Sequence, residues 1–96
     1  MYLFCRNDIS HAQQIVQTAH AVDELNKRIP HDPGNYMVLC GADSEAELFG
    51  ISSWLTERSI EHEMFYEPDI EAFTAIATAP LKGKERHPMR RFKLKK

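Results

Sequence analysis

Glu67-Pro68-Asp69 places two carboxylates side by side just after an apolar run, and Thr74 follows five residues later. Carboxylates in such a loop can orient or deprotonate a water, and a threonine hydroxyl can hold that water or a developing oxyanion. A solvated Glu67 and a turn-capping Asp69 are the alternative reading of the same residues. A second polar set is Gln13, Gln17, His20 and Glu24, spaced to fall on one side of a helix. It is neutral and rich in amide and imidazole, although the chain carries 27% charged residues, and it reads either as a solvated face or as part of a site. The five histidines and two cysteines share no metal-ligand spacing, so no metal site is expected. Glycine-rich phosphate loops and a GxSxG elbow are absent as well.

A third set is basic. Residues 82–96 contain eight Lys/Arg (among them Lys82, Lys84, Arg86, Arg90 and Arg91) and one acid, a net of +7. Residues 1–81 carry a net of −9, so the overall −2 conceals an acidic body joined to a basic end. Lysine and arginine against phosphates give salt-sensitive, sequence-independent affinity for nucleic acid. The alternatives are a solubilising tail or a segment docked on the acidic body, and Phe92 and Leu94 suggest that part of it packs.

The elements that must position these residues follow from periodicity. Residues 2–6 are nearly continuously apolar, as in a strand buried on both faces. Ser10 is a predicted N-cap, and residues 10–29 have an apolar 3.6-residue stripe of Ala12, Ile15, Val16, Ala19, Val22, Leu25 and Ile29. A turn is expected at His31–Asn35. A second strand is predicted at 36–40 and a second helix at about 44–58, capped by Asp43 or Ser44, with Leu48, Ile51, Trp54 and Leu55 on its core face. Gly50 within that helix costs about 1 kcal/mol relative to alanine. Strands are predicted at 61–66 and 73–79, ended by Pro80.

The order βαβαββ predicts an α/β fold, a four-stranded mixed sheet with helices on its faces, and the short connection before the last strand permits that strand to run antiparallel. Residues 1–81 are expected to form one α/β domain and 82–96 a basic C-terminal tail, partly docked. Sites in such sheets lie at the carboxyl ends of parallel strands. Cys5 and Cys40, inside apolar runs, read as buried reduced thiols. The start of the chain lacks a signal-peptide pattern, and no apolar run reaches the ~18–20 residues that span a bilayer. The expectation is a cytoplasmic protein without membrane contact.

These motifs, in this order, resemble the peptidyl-tRNA hydrolase II family, in particular its small phage and bacterial relatives. Arg6-Asn7-Asp8-Ile9 is similar to the family's Arg-x-Asp-Leu at the end of its first strand. Gln13 to Ala21 matches its Gln-x-x-Val-Gln-x-x-His-Ala helix, and Glu67-Pro68-Asp69 with Thr74-Ala75 matches its Glu-Pro-Asp … Thr-Ala segment. The resemblance implies a three-layer α/β/α fold whose four-stranded mixed sheet has its last strand antiparallel, and cofactor-free hydrolysis of the ester between a peptide and the 3′ end of tRNA. It implies catalytic roles for Glu67 or Asp69 and for Thr74, and supporting roles for Gln13, Gln17, His20 and Asp8. Arg6 and the tail would contact RNA, and a homodimer is one expected arrangement. Gln13 stands where the family has a lysine, so a catalytically weak or inactive RNA-binding module of the same fold is the alternative. A small-molecule regulatory domain is a second alternative.

Overall fold

The computed structural model describes residues 1–29 and 37–94. Its elements are β1 (Tyr2–Arg6), α1 (His11–Arg28), β2 (Val38–Ala42), α2 (Glu45–Glu57), β3 (His62–Glu67), β4 (Ala72–Thr78) and a 3-10 segment, Gly83–Arg91. The predicted turn at His31–Asn35 lies outside the described residues. The four strands form one mixed sheet in the order β2-β1-β4-β3. β1 pairs with β2 in parallel, and β4 is antiparallel to both β1 and β3. β1, β2 and β3 therefore point the same way and end at one edge.

β1 occupies the middle of the sheet, which explains its unbroken apolar sequence. Tyr2 and Phe4 join Leu48, Ile51, Leu55 and Ile76 in the core on the α2 face. Met1 and Leu3 join Ala21, Leu25, Ala75 and Ala77 in the core on the α1 face. Residues beyond Pro80 contribute to the α2-side core: Met89 is buried within it, and Phe92 packs edge-on against Phe4 with ring centroids 4.9 Å apart. Leu94 then bridges antiparallel to Cys40 on the outer strand. Both cysteines are buried thiols: Cys5 Sγ donates to the Gln14 carbonyl at 3.5 Å, and burial pushes the Cys40 thiol up. No helix among the described residues is long and apolar enough to cross a membrane.

Both helices start at serine caps. Ser10 accepts from the Gln13 N–H and Ser44 from the Glu47 N–H, each at 3.2 Å. α2 buries Leu48, Ile51 and Leu55, the face its periodicity predicts. α1 follows its predicted stripe in its second half, where Leu25 is buried and Val22 and Ile29 pack against the same core, and departs from it in the first. Its buried residues are Gln14, Gln17, Ala21 and Leu25, whereas Ile15 is 73% exposed and Val16 47%. In the first half two amides, not the apolar side chains, face the sheet. Both find partners there, so their burial costs little: Gln14 Nε2 donates to the Ile9 carbonyl at 2.9 Å, and Gln17 enters the network described below. Hydrophobicity alone misassigns this face because it scores glutamine as outward whatever the sheet offers it.

Candidate active site

The first half of α1 lies over the edge at which β1 and β3 end. Gln17 is the centre of the polar group there. It is 1% exposed and uses both ends of its amide. Nε2 donates to Glu67 Oε2 at 3.0 Å and to Gln13 Oε1 at 2.8 Å, and Oε1 accepts from Thr74 Oγ1 at 2.9 Å. Residues 50 and 57 positions apart in sequence thus meet at one side chain.

Thr74 reaches this group because β4 carries a bulge. Phe65 pairs with Ala75, but Tyr66 pairs with Phe73, which leaves Thr74 as the extra residue. Strict alternation would send Thr74 to the α2 face with Ile76. The bulge instead aims its hydroxyl at Gln17 on the α1 face, beside Ala75, and sends Phe73 to the α2 face, where its ring meets Phe49 at 5.4 Å. Two further bonds fix the start of β4. Phe73 N donates to Glu45 Oε2 at 2.8 Å, and its carbonyl accepts from Arg6 at 3.2 Å.

Glu67 ends β3 with both oxygens engaged. Oε1 accepts from the Asp69 N–H at 3.1 Å. That backbone donor first, then the Gln17 amide and the nearby His20, hold the carboxyl below the usual carboxylate range. Glu67 is therefore an ionised acceptor at neutral pH, better suited to orienting a water or a hydroxyl than to taking its proton. Asp69 stands exposed in the adjoining turn. His20 is exposed and stacks flat on Phe65, centroids 4.7 Å apart, beside Glu67. An imidazole in that position can exchange protons with a group that Glu67 orients.

Arg6 and Asp8 form a two-pronged pair, Nε and one terminal nitrogen each 2.8 Å from a carboxylate oxygen. The pair pushes Asp8 down and Arg6 up. With its third nitrogen on the Phe73 carbonyl, Arg6 ties the β1–α1 loop to β4. Among the described residues, no three His, Cys, Asp or Glu side chains converge as a metal ion would require.

Compared with models of known protein families the chain matches none, and no curated protein matches it significantly. What the site can do must be argued from its geometry. The structure brings Arg6, Asp8, Gln13, Gln17, His20, Glu67, Asp69 and Thr74 to the edge where the parallel strands end. It places the tail residues on the opposite, α2 face of the sheet. Arg86 and Arg90 border a pocket with Tyr2, at the opposite end of β1, and Lys82 and Lys84 lie on the same stretch of chain. Arg91 continues along the α2 face, with its guanidinium 5.1 Å from the Trp54 ring centre. Two positioning residues went unnoticed in the sequence. Gln14 anchors the loop before α1, and Glu45 holds β4. Glu45 could have been suspected as an acid in the first turn of a helix, whereas a buried Gln14 leaves no signal in hydropathy.

Proposed function

We propose that this chain hydrolyses the ester joining a peptide to the 3′ end of tRNA, acting in the cytoplasm as part of translation. The observation that carries the reading is the clamp on Glu67. A buried helix glutamine, itself fixed by a bulged threonine, holds one carboxylate at the carboxyl edge of the sheet, with an exposed histidine beside it. The helix glutamine, loop carboxylate and strand threonine to which the resemblance assigns roles are the three that meet at Gln17.

In this mechanism a water binds between Glu67 and His20. Glu67 orients it and stabilises the imidazolium that forms as His20 accepts its proton. Asp69, free to approach from the turn, provides a second acceptor. Thr74 is fully buried and gives its hydroxyl proton to Gln17, so it acts as a positioning residue. The proton then passes to the ribose oxygen as the ester carbonyl–oxygen bond breaks. The basic residues from Lys82 onward supply attraction for RNA phosphates that the acidic body cannot. The exposed Ile15 and Val16 support a homodimer through α1, which sedimentation of Ile15→Glu against the wild type would read.

A deacylation assay on peptidyl-tRNA tests the reading. Glu67→Gln and His20→Ala should each lose at least tenfold in rate, and Asp69→Asn should lose less. A wild-type rate equal to that in buffer would overturn it. The second reading, a tRNA-binding module without turnover, is favoured by Gln13 in place of the family's lysine and by the lowered basicity of Glu67. Salt-sensitive tRNA binding without deacylation would identify it.

A further inference from the structure

Gly50 lies in the middle of α2, where glycine weakens a helix, and packing does not require it. A Cβ built there meets nothing within 4 Å. Its bare backbone lines an open groove of about 1150 Å3 between α2 and the segment that follows the 3-10 helix. Arg91 and Lys93 line the basic side of this groove, and Asp43 and Glu47 line its acidic side at the start of α2. The Trp54 indole also lines it, with Arg91 at 5.1 Å and Arg58 at 3.9 Å from the ring centre. Neither Arg91 nor Lys93 forms an ion pair among the described residues.

The geometry points to a groove for a short single-stranded RNA segment. Its phosphates lie on Arg91 and Lys93. A base lies against the Trp54 indole and the bare turn at Gly50, and ribose hydroxyls or base amines donate to Asp43 Oδ2 and Glu47 Oε1, the other oxygens being held by Asn7 and the Asp43 N–H. Cation, aromatic ring and carboxylate are thus matched to phosphate, base and hydrogen-bond donors. Glycine lets a flat ring approach the helix backbone closely. An aromatic platform with a basic border is how proteins hold single strands with little sequence preference. The groove exceeds the roughly 300–1,000 Å3 usual for small-molecule sites, which favours a strand over a free mononucleotide. The inference rests on the RNA-handling reading, although not on ester hydrolysis, because Gln17 and Glu67 lie on the α1 face.

Trp54 is the only tryptophan of the chain, so its fluorescence reports on the groove directly. The full chain is titrated with an unacylated RNA hexanucleotide and, separately, with AMP. The hexanucleotide should change the fluorescence saturably and bind at least tenfold tighter than AMP. Gly50→Leu, which has open space and leaves the melting temperature at or above that of the wild type, should weaken hexanucleotide binding at least tenfold. Arg91→Ala and Lys93→Ala should each lower the salt slope by about 0.7. Glu67→Gln should titrate like the wild type. Unchanged binding by Gly50→Leu, or no saturable change at all, would overturn the proposal, and equal affinity for AMP would reassign the groove to a mononucleotide. Hexanucleotide binding without deacylation would retain the groove and remove the hydrolase. Deacylation without the fluorescence change would do the reverse.

Discussion

Replacing Gln17 by leucine should destabilise the fold by about 2 kcal/mol, although leucine is apolar, similar in size and set in a buried position. The cost comes from Thr74. Its hydroxyl is fully buried and donates to Gln17 Oε1. Leucine leaves that donor without an acceptor, and a stranded buried polar group costs roughly 1–3 kcal/mol. For a domain of this size each kcal/mol moves the melting temperature by about 4–8 °C, so the midpoint should fall by about 8–16 °C. The second variant decides the mechanism. In Gln17→Leu with Thr74→Val both partners become apolar, no donor is stranded, and most of the loss should return, giving a coupling of about 1–2 kcal/mol. Urea melts followed by circular dichroism measure all four corners of the cycle. NMR of the Glu67 carboxyl adds an independent reading, since loss of the Gln17 donor should move its pKa up toward the ordinary range. Gln17→Leu within 0.5 kcal/mol of the wild type, or additive single variants, would refute the view that Gln17 is the keystone.

Three further outcomes are expected. Glu67 and Asp8 both have folded-state pKa values held below their unfolded ones, so their stabilisation is full above the ordinary carboxylate range and is lost as pH falls through the folded values. Melting temperature should therefore drop on acidification below about pH 4, less steeply in Glu67→Gln, and a flat profile would contradict the assigned bonds. Met89→Ala should cost about 2–5 kcal/mol in urea melts, because the side chain is 1% exposed in the α2-side core, and a cost under 1 kcal/mol would mean that this segment does not pack as described. Glu71 sits in the β3–β4 turn at φ 50°, a left-handed conformation that glycine adopts without penalty. Glu71→Gly should stabilise the protein by about 1 kcal/mol in thermal melts, and destabilisation would show that the glutamate side chain matters more than its backbone.

The fold was largely legible because its signals are local and redundant. β1 reads as a two-sided buried strand, Ser10 as a cap, Asp43 or Ser44 as a second, α2 as an amphipathic helix, and the last strand as one its short connection lets run antiparallel. The burial of Gln14 and Gln17 in the first half of α1 was not legible, because it depends on what the sheet offers the two amides. The bulge at Thr74 was hidden for a related reason. Period-two alternation assigns one face to each residue, and nothing in Phe73-Thr74-Ala75-Ile76 marks where the alternation slips. The site residues could be named individually, but only the slip explains how a threonine with the parity of Ile76 comes to face a glutamine on α1.

The charge division acquires a spatial meaning that the sequence could not give it. Asp8, Glu67 and Asp69 gather at the edge where the parallel strands end. The positive charge begins at the opposite end of β1, beside Tyr2, and runs along the α2 face to Arg91 and Lys93. A polyanion is therefore repelled where the ester would be cleaved and attracted on another face. Any RNA that presents its 3′ end to Glu67 must pass around the sheet edge with its phosphates turned away from the carboxylates. This separates the effects of the two kinds of substitution. Removing tail charges should weaken binding and flatten its salt dependence while leaving the rate at saturating RNA untouched. Removing Glu67 should lower that rate while leaving the salt dependence in place. A single variant that moved both together would mean that Arg91 and Lys93, which share their groove with Asn7 and Asp43 at that edge, also act on the α1 face.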